Sequence, residues 1–317
     1  MRSLTQLLLR AAPGLGRPFF FCALGALFPV LLFAQDGRWP SPALRAGQTL
    51  IYRLEFSASR ATQTESRLSG PPLPPSDELN TVCVLQVEVV VANSSSFRLK
   101  TYLSERTEPS VSANATAAPS ESAPDKVVEV SVARNGAASQ IEGLDQLSVA
   151  QRFAWNNWLG WFTATWTYRN SAVRVGSKWE LDEPETTLSP LTRLLWSKKY
   201  QYVRNQPCGT SPLSATGICA VILVHARLHQ KSSPNNATPE DFKLRGLVTR
   251  GTAIGANETI LYIGLTNGLL VRSSEDAQQS MDATISLADG SNEVRYVMKA
   301  KSRSQIQLVR DSYLQPH

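Results

Sequence analysis

The chain has 317 residues, of which 42% are hydrophobic, and a formal net charge of +6. This composition is that of an ordinary globular protein and excludes a wholly disordered chain. Three positive charges, Arg2, Arg10 and Arg17, precede the first acidic residue, Asp36. The basic balance therefore comes in part from the N-terminal segment and gives no reason to expect a nucleic-acid partner.

Residues 1–34 have the three parts of a signal peptide. A basic start is followed by an apolar run over residues 19–33 and by the small residue Ala34. The run is short for a membrane span and contains Pro29. We predict cleavage after Ala34, export to the periplasm or the extracellular space, and no permanent membrane span. An uncleaved N-terminal anchor is the alternative. Cleavage leaves about 280 residues with a net charge of about +3, enough chain for a large core.

The first half of the exported chain, which we treat as a single β-rich domain over residues 35–317, alternates between strands and polar loops. Alternating apolar and polar residues predict four strands, and an Asn-Ser-Ser-Ser turn joins the second to the third. The strands span residues 47–56, 82–91, 97–103 and 126–133. Mobile loops are predicted at about 58–80, which is rich in proline, and at 105–125, which has little to bury.

Four of the seven tryptophans lie in one stretch, residues 144–168. At about 100° per residue, its apolar side chains fall on one arc of a helix. We predict a helix from Leu144 to Phe162, with Gly143 as the N-cap. Gly160 disfavours a helix interior by about 1 kcal/mol. Residues 163–168 alternate as a strand would, so the end of the helix stays open.

The aromatic side chains of this helix are the candidate ligand-binding residues. Large rings give contact area at low entropic cost, and a helix over a curved sheet can close an apolar hollow. Packing in an ordinary core explains the same side chains, and both interpretations are kept. The residues are Trp155, Trp158, Trp161, Phe162 and Trp166.

Three cysteines remain after cleavage. The segment between Cys208 and Cys219 is rich in turn-forming residues. We predict a disulfide between these two, which the oxidising conditions outside the cytoplasm permit. A metal-binding pair is the alternative, but no further Cys or His lies at ligand spacing. Cys83 lies in a valine-rich strand and is predicted to be a buried thiol.

The polar clusters of the second half do not have the spacing of metal sites. The acidic residues between 180 and 185 match no calcium-binding loop. His225 and His229 alternate with apolar residues, and on a strand they lie roughly 13 Å apart. The sequence also lacks the motifs of serine hydrolases, zinc proteases and nucleotide-binding enzymes. We therefore predict no metal, no cofactor and no enzymatic activity.

The C-terminal third is predicted to be a meander of strands that follows a loop at 231–240. Turns at residues 266–268 and 288–290 separate some of them. The strands are predicted over residues 242–253, 258–265, 268–274, 278–287 and 294–309. The whole chain thus predicts a mainly β fold with one long helix. Its form is a large curved antiparallel sheet, or a half-open β-barrel, plugged by the amphipathic aromatic helix.

Three segments carry a resemblance to a known family. Residues 47–56 open the sheet, residues 175–179 follow the helix, and residues 258–271 read strand, Thr-Asn-Gly turn, strand. Together they resemble the half-barrel of bacterial lipoprotein-localisation factors, and uncharacterised secreted bacterial β-rich proteins of that shape. The resemblance covers residues 45–310. It implies a concave apolar face suited to acyl chains and closed by helical elements.

These observations predict an exported envelope protein that is a non-catalytic binding module for an apolar or lipid-like ligand. The alternative is a structural or protein-interaction domain of the cell envelope, with another envelope protein as its partner and no small-molecule ligand. In the alternative, the same tryptophans fill the core. Loss of Trp158 then unfolds the protein rather than removing a ligand.

Overall fold

The structure is a computed structural model that describes residues 39–66, 76–105, 126–168, 172–185, 189–209 and 217–312. All of these residues belong to one unit, Asp36–His317. The predicted signal peptide and nearly all of the predicted loop at 105–125 lie outside the described residues. Among the helices of the described ranges, none is long and apolar enough to cross a membrane.

The described part of the chain forms a single antiparallel sheet of eleven strands. These are β1 (Thr49–Ser66), β2 (Ser76–Ala92), β3 (Ser96–Glu105), β4 (Lys126–Ala133), β5 (Ala138–Glu142), β6 (Lys178–Pro184), β7 (Leu194–Pro207), β8 (Ile218–Gln230), β9 (Leu247–Gly264), β10 (Leu270–Leu287) and β11 (Val294–Asp311). Their order across the sheet is β5-β4-β3-β2-β1-β11-β10-β9-β8-β7-β6. The first and last strands therefore pair at the centre, and β5 and β6 are the two edges.

The helical elements are few. Helix α1 spans Val149–Thr163 and helix α2 spans Glu240–Leu244, with short 3₁₀ helices at Leu144–Gln146 and Trp166–Tyr168. Helix α1 lies against β1, β2, β10 and β11. The predicted mainly β fold with one long helix is confirmed. The described strands form one open antiparallel sheet with two short edges, not a closed barrel. The finer prediction, a curved sheet or half-open barrel plugged by the helix, stays a prediction.

The two faces of the sheet differ because side chains alternate along each strand. In β1, Tyr52 and Leu54 are buried, and Tyr52 contacts Trp158 of α1 with ring centroids 5.9 Å apart. Arg53 and Glu55 point the other way. We call the side with α1 the helix face and the other side the open face. One solvated face is the usual state of an antiparallel sheet.

The helix face carries two clusters of buried apolar side chains. The larger lies beneath α1 and includes the biggest buried rings of the described chain. The smaller lies towards the far ends of the long strands and includes Leu191, Met281 and Ala283. Two separate clusters explain why strands of 18 residues can be held along their whole length.

The C-terminal meander has fewer and longer strands than predicted. The strands predicted at 242–253 and 258–265 are helix α2 and one continuous strand, β9, and those at 268–274 and 278–287 are one strand, β10. At Gly255 an added Cβ would lie 2.8 Å from Cη2 of Trp196. The glycine therefore makes room for a ring inside a strand instead of marking a turn.

The predicted loop at 58–80 is wrong at both ends. β1 continues to Ser66 and β2 begins at Ser76, and the two strands pair as far as Ala61 and Ser76. Residues 58–66 are mostly polar, so they lack the apolar alternation that predicts a strand. Backbone pairing with β11 over their whole length, and with β2 as far as Ala61, holds them extended. Residues 67–75 are outside the described ranges.

The predicted disulfide is present between Cys208 and Cys219. It joins the end of β7 to the start of β8, and it packs with Val271 and Tyr262. Cys83 is buried in β2. The segment 231–239 connects β8 to α2, which begins at Glu240, the last residue of the loop predicted there.

Candidate functional site

Helix α1 begins later than predicted, at a capping box. Ser148 Oγ accepts a hydrogen bond from the backbone N–H of Gln151, and Gln151 Oε1 accepts one from the backbone N–H of Ser148. The pair satisfies two N–H groups that have no partner within the helix. The prediction of a start at Leu144 after a Gly143 cap is therefore wrong, and Leu144–Gln146 form a separate 3₁₀ helix.

The helix also runs past Gly160, to Thr163. Nothing lies within 4 Å of the position where a Cβ of Gly160 would be, so this glycine serves no close approach. Near the C-terminal end, the Thr163 hydroxyl donates to the Leu159 carbonyl at 2.9 Å. The stretch after it, where sequence allowed a strand, is the 3₁₀ helix Trp166–Tyr168.

The structure places all five predicted ligand-binding residues in the core between α1 and the sheet. None of the five side chains is more than 5% exposed. They are Trp155, Trp158, Trp161, Phe162 and Trp166. Trp158 stacks on Phe162 with centroids 4.9 Å apart, and Phe162 meets Trp166 edge-on at 5.1 Å. The rings thus fill space by packing on one another.

Two of the indole groups are fastened to the sheet by hydrogen bonds. Trp155 Nε1 donates to Thr101 Oγ1 at 3.0 Å, and the Thr101 hydroxyl donates in turn to the Val128 carbonyl at 2.8 Å. Trp161 Nε1 donates to Glu275 Oε2 at 2.8 Å. These bonds fix α1 to both halves of the sheet, because Thr101 is in β3 and Glu275 is in β10.

Glu275 is a buried carboxylate that was not predicted from the sequence. Besides Trp161, it accepts hydrogen bonds from the side-chain amides of Asn157 and Asn257. Asn157 Oδ1 accepts one from the Ser304 hydroxyl at 2.9 Å. A buried carboxylate needs donors of this kind. A signal was available, since Glu275 has the same strand phase as Met281 and Ala283, which face the core.

Two other indoles in the same core lack the hydrogen bonds that Trp155 and Trp161 form. Trp158 and Trp166 are buried, and their Nε1 atoms have no hydrogen-bond partner among the described residues. A buried N–H without a partner is unfavourable by about 1–3 kcal/mol. These two groups are therefore the places under α1 where an acceptor from a bound molecule would be stabilising.

The open face carries a hollow of about 700 Å³ with polar walls. Its charged lining residues are Glu78, Glu258, Asp276, Lys301 and Arg303. Arg303 Nε donates to Asp276 Oδ1 at 2.8 Å. Lys301 forms no ion pair with any described residue and stands between Ser59 and Gln278 in the strand register. The hollow thus offers charge of both signs to a partner.

The charged residues of the polar clusters in the second half pair with one another. Glu180 and Glu183 of β6 form ion pairs with Lys199 and Lys198 of the neighbouring strand. His225 lies 3.7 Å from Glu258, whose strand neighbours that of the histidine. Among the described residues, no group of three or more acidic, His or Cys side chains could hold a metal ion.

Burial in the core changes the ionisation of four tyrosines. Burial raises the pKa of Tyr52 well above its usual value, and the nearby Asp311 carboxylate adds to the effect. Burial likewise raises the pKa values of Tyr168, Tyr200 and Tyr202. The Tyr52 hydroxyl donates to the Leu270 carbonyl at 2.9 Å, so its neutral form is the one that the fold uses.

Two outer membrane proteins of known structure match this chain over most of its length. One is the outer membrane protein OprG from Pseudomonas aeruginosa, with 10% identity, a TM-score of 0.16, and 83% of this chain and 96% of that chain covered. The other is the COG4313 outer membrane channel from Pseudomonas putida F1, with 10% identity, a TM-score of 0.16, and coverages of 84% and 97%. Likeness at this level does not extend to fold or function.

The chain matches no protein-family model and none of the curated proteins. The resemblance to lipoprotein-localisation factors that the sequence predicted is wrong: no model of that or any other family matches the chain, and the two solved structures named above are outer membrane proteins. The segments behind it, a strand after a glycine and a Thr-Asn-Gly turn, occur in many antiparallel sheets, because turn residues follow turn geometry and not family.

Proposed function

We propose that this chain is an exported, non-catalytic binding domain of the cell envelope, periplasmic or extracellular, in which α1 is a permanent part of the core. The binding surface is the open face. One observation carries the proposal: the five aromatic side chains are buried, and two of their indoles are hydrogen-bonded to the sheet. A ligand could reach them only by displacing the helix.

The disulfide supports the exported location. Bonds such as Cys208–Cys219 persist in oxidising compartments and are rare in the cytosol. The open face supports the binding role, because its hollow is concave, polar and exposed at the centre of the sheet. A partner that brings charges of both signs would pair with Lys301 and Glu78, which have no ion-pair partner among the described residues.

A second candidate is a binding module for an apolar or lipid-like ligand held between α1 and the sheet, with the helix closing a hollow. The buried Nε1 atoms of Trp158 and Trp166 favour it, since they leave two donors for a ligand. In this case α1 must lift from the sheet, which breaks the bonds of Trp155 and Trp161 described above.

The substitution Trp158→Ala separates the two candidates. If the ring is core, its removal should lower the free energy of unfolding by about 3–5 kcal/mol. Urea denaturation of the exported chain measures this loss, and Val149→Ala, at an exposed position of the same helix, is the control. If the ring lines a ligand site, the variant should instead keep its stability and lose an apolar ligand.

Lipid analysis completes the test. The exported chain, purified without detergent, should contain no lipid by mass spectrometry and should take up no apolar fluorescent probe. Stoichiometric lipid in the purified protein, released when Trp158 is replaced, would reject the first candidate in favour of the second.

A further inference from the structure

A second hollow on the open face carries an uncompensated positive charge. It has a volume of about 250 Å³ and is lined by residues of β1, β9, β10 and β11. Its charged lining residues are Arg53, Glu55 and Arg272. Two cations and one anion leave one positive charge without a counterpart, so the hollow favours a ligand with one negative charge.

The strand register shows how these side chains are arranged. Two rows of paired residues cross the four strands at this point. The first row is Arg53, Gln307, Arg272 and Tyr262, and the second is Glu55, Gln305, Ser274 and Ile260. Because neighbouring strands lie about 4.8 Å apart, the two arginines leave the sheet roughly 10 Å apart, with Gln307 on the strand between them.

The two arginines differ in their partners. Arg53 Nε lies 2.8 Å from Glu55 Oε1, so its charge is already engaged. The guanidinium carbon of Arg272 lies 4.0 Å from the centroid of the Tyr262 ring, and no described carboxylate forms an ion pair with it. Stacking on a ring fixes the guanidinium plane and leaves the N–H edges free. Arginine binds oxyanions through such an edge, with two parallel hydrogen bonds.

We propose that this hollow binds an oxyanion, a carboxylate or a phosphate group, through the guanidinium of Arg272. The side-chain amides of Gln305 and Gln307 are further donors, and Ile260 contacts the apolar part of the ligand. The volume of about 250 Å³ is sufficient for one such group at the end of a larger molecule. The inference rests on the proposal above that the open face is the binding surface.

Calorimetric titration of the exported chain with inorganic phosphate and with acetate, at low ionic strength, tests the site. Arg272→Gln should weaken binding by about tenfold or more, the loss of one charge-assisted contact. Glu55→Gln should strengthen binding, because it removes the one negative charge of the hollow. Variants that merely unfold cannot give this second result.

Arg250→Gln is the matched control for total charge. Arg250 is exposed on the open face of β9, twelve residues from Tyr262 and hence roughly 40 Å away. The Arg250→Gln variant should bind phosphate and acetate as tightly as the unaltered chain does. Equal binding by Arg272→Gln and the unaltered chain, no strengthening by Glu55→Gln, or no binding of either anion would each overturn the site.

The source of the oxyanion is separated by vesicle sedimentation. Vesicles of phosphatidylcholine with phosphatidylglycerol should sediment the chain in an Arg272-dependent way if the group is a lipid headgroup. If the group belongs to a soluble molecule, the vesicles should not sediment the chain, and only the binding of free phosphate or acetate should depend on Arg272. Both outcomes uphold the site. Lipid taken up beneath α1 would instead defeat the proposed function, and it would not respond to Arg272→Gln.

Discussion

Trp161 of helix α1 donates its indole N–H to Oε2 of Glu275 across 2.8 Å, so a buried carboxylate fixes the helix to β10. Two asparagine amides, from Asn157 on the helix and Asn257 on β9, donate to the same carboxylate. Three neutral donors thus converge on one acidic side chain. The Glu275 carboxylate thus orients the helix on the sheet. Its hydrogen-bond donors come from both the helix and the sheet.

The first prediction concerns this carboxylate. Glu275→Gln keeps the shape of the side chain but turns one acceptor oxygen into a donor that faces other donors. The free energy of unfolding should fall by about 1–3 kcal/mol, the value for a buried polar group left without a partner. Urea denaturation measures it. Glu258→Gln, an exposed position in the neighbouring strand, should change stability by no more than about 0.5 kcal/mol.

The second prediction uses the glycine within α1. Gly160 is exposed, lies in the helix interior, and has open space where a Cβ would be. Gly160→Ala should therefore raise the free energy of unfolding by about 0.4–1 kcal/mol, since alanine loses less backbone entropy on folding. Thermal unfolding followed by circular dichroism measures the change. A lower midpoint would mean that the backbone at this position is not helical.

The third prediction concerns alkaline pH. Tyr52 has a pKa raised by burial, so above pH about 10 the unfolded chain releases a proton that the native chain retains. Stability is then complete below pH about 10 and falls as pH rises towards the native pKa, by up to about 1.4 kcal/mol per pH unit for each such tyrosine.

Tyr52→Phe tests this linkage. It should cost about 1 kcal/mol at neutral pH, because the Leu270 carbonyl loses its donor. Above pH about 10 the variant should lose stability less steeply than the unaltered chain, since Tyr168, Tyr200 and Tyr202 still contribute. Urea denaturation over a pH series gives both slopes. Parallel slopes would show that Tyr52 does not contribute.

The features that were predicted correctly from the sequence are those that depend on residues close together in the chain. The mainly β fold, the existence of a long aromatic helix and the Cys208–Cys219 disulfide follow from alternation, helical periodicity and a turn-rich loop. The start of α1 could also have been found, because Ser148 and Gln151 stand at capping-box spacing. The glycine at 143 was a competing signal, and it belongs to the 3₁₀ helix.

The features that sequence missed depend on distant partners. The break predicted between residues 253 and 258 is absent, because Gly255 lies inside β9 and Trp196, from another strand, packs over it. Glu275 has the inward phase of its strand, but its donor Asn157 comes from a different element altogether. The polar ends of β1 and β2 are strands only because β11 and the two strands themselves supply backbone partners.

The pairing of β1 with β11 has a consequence for how the sheet assembles. Within each half of the sheet, β1 to β5 and β6 to β11, every strand pairs with the next strand in the chain. Each half can therefore form through contacts between neighbouring strands. Their junction joins opposite ends of the described chain, and closing so large a loop is slow. Until then, two edges of 18 residues each stand unpaired, a template for association between chains. Dilution or a chaperone at this stage should therefore raise the yield of native protein.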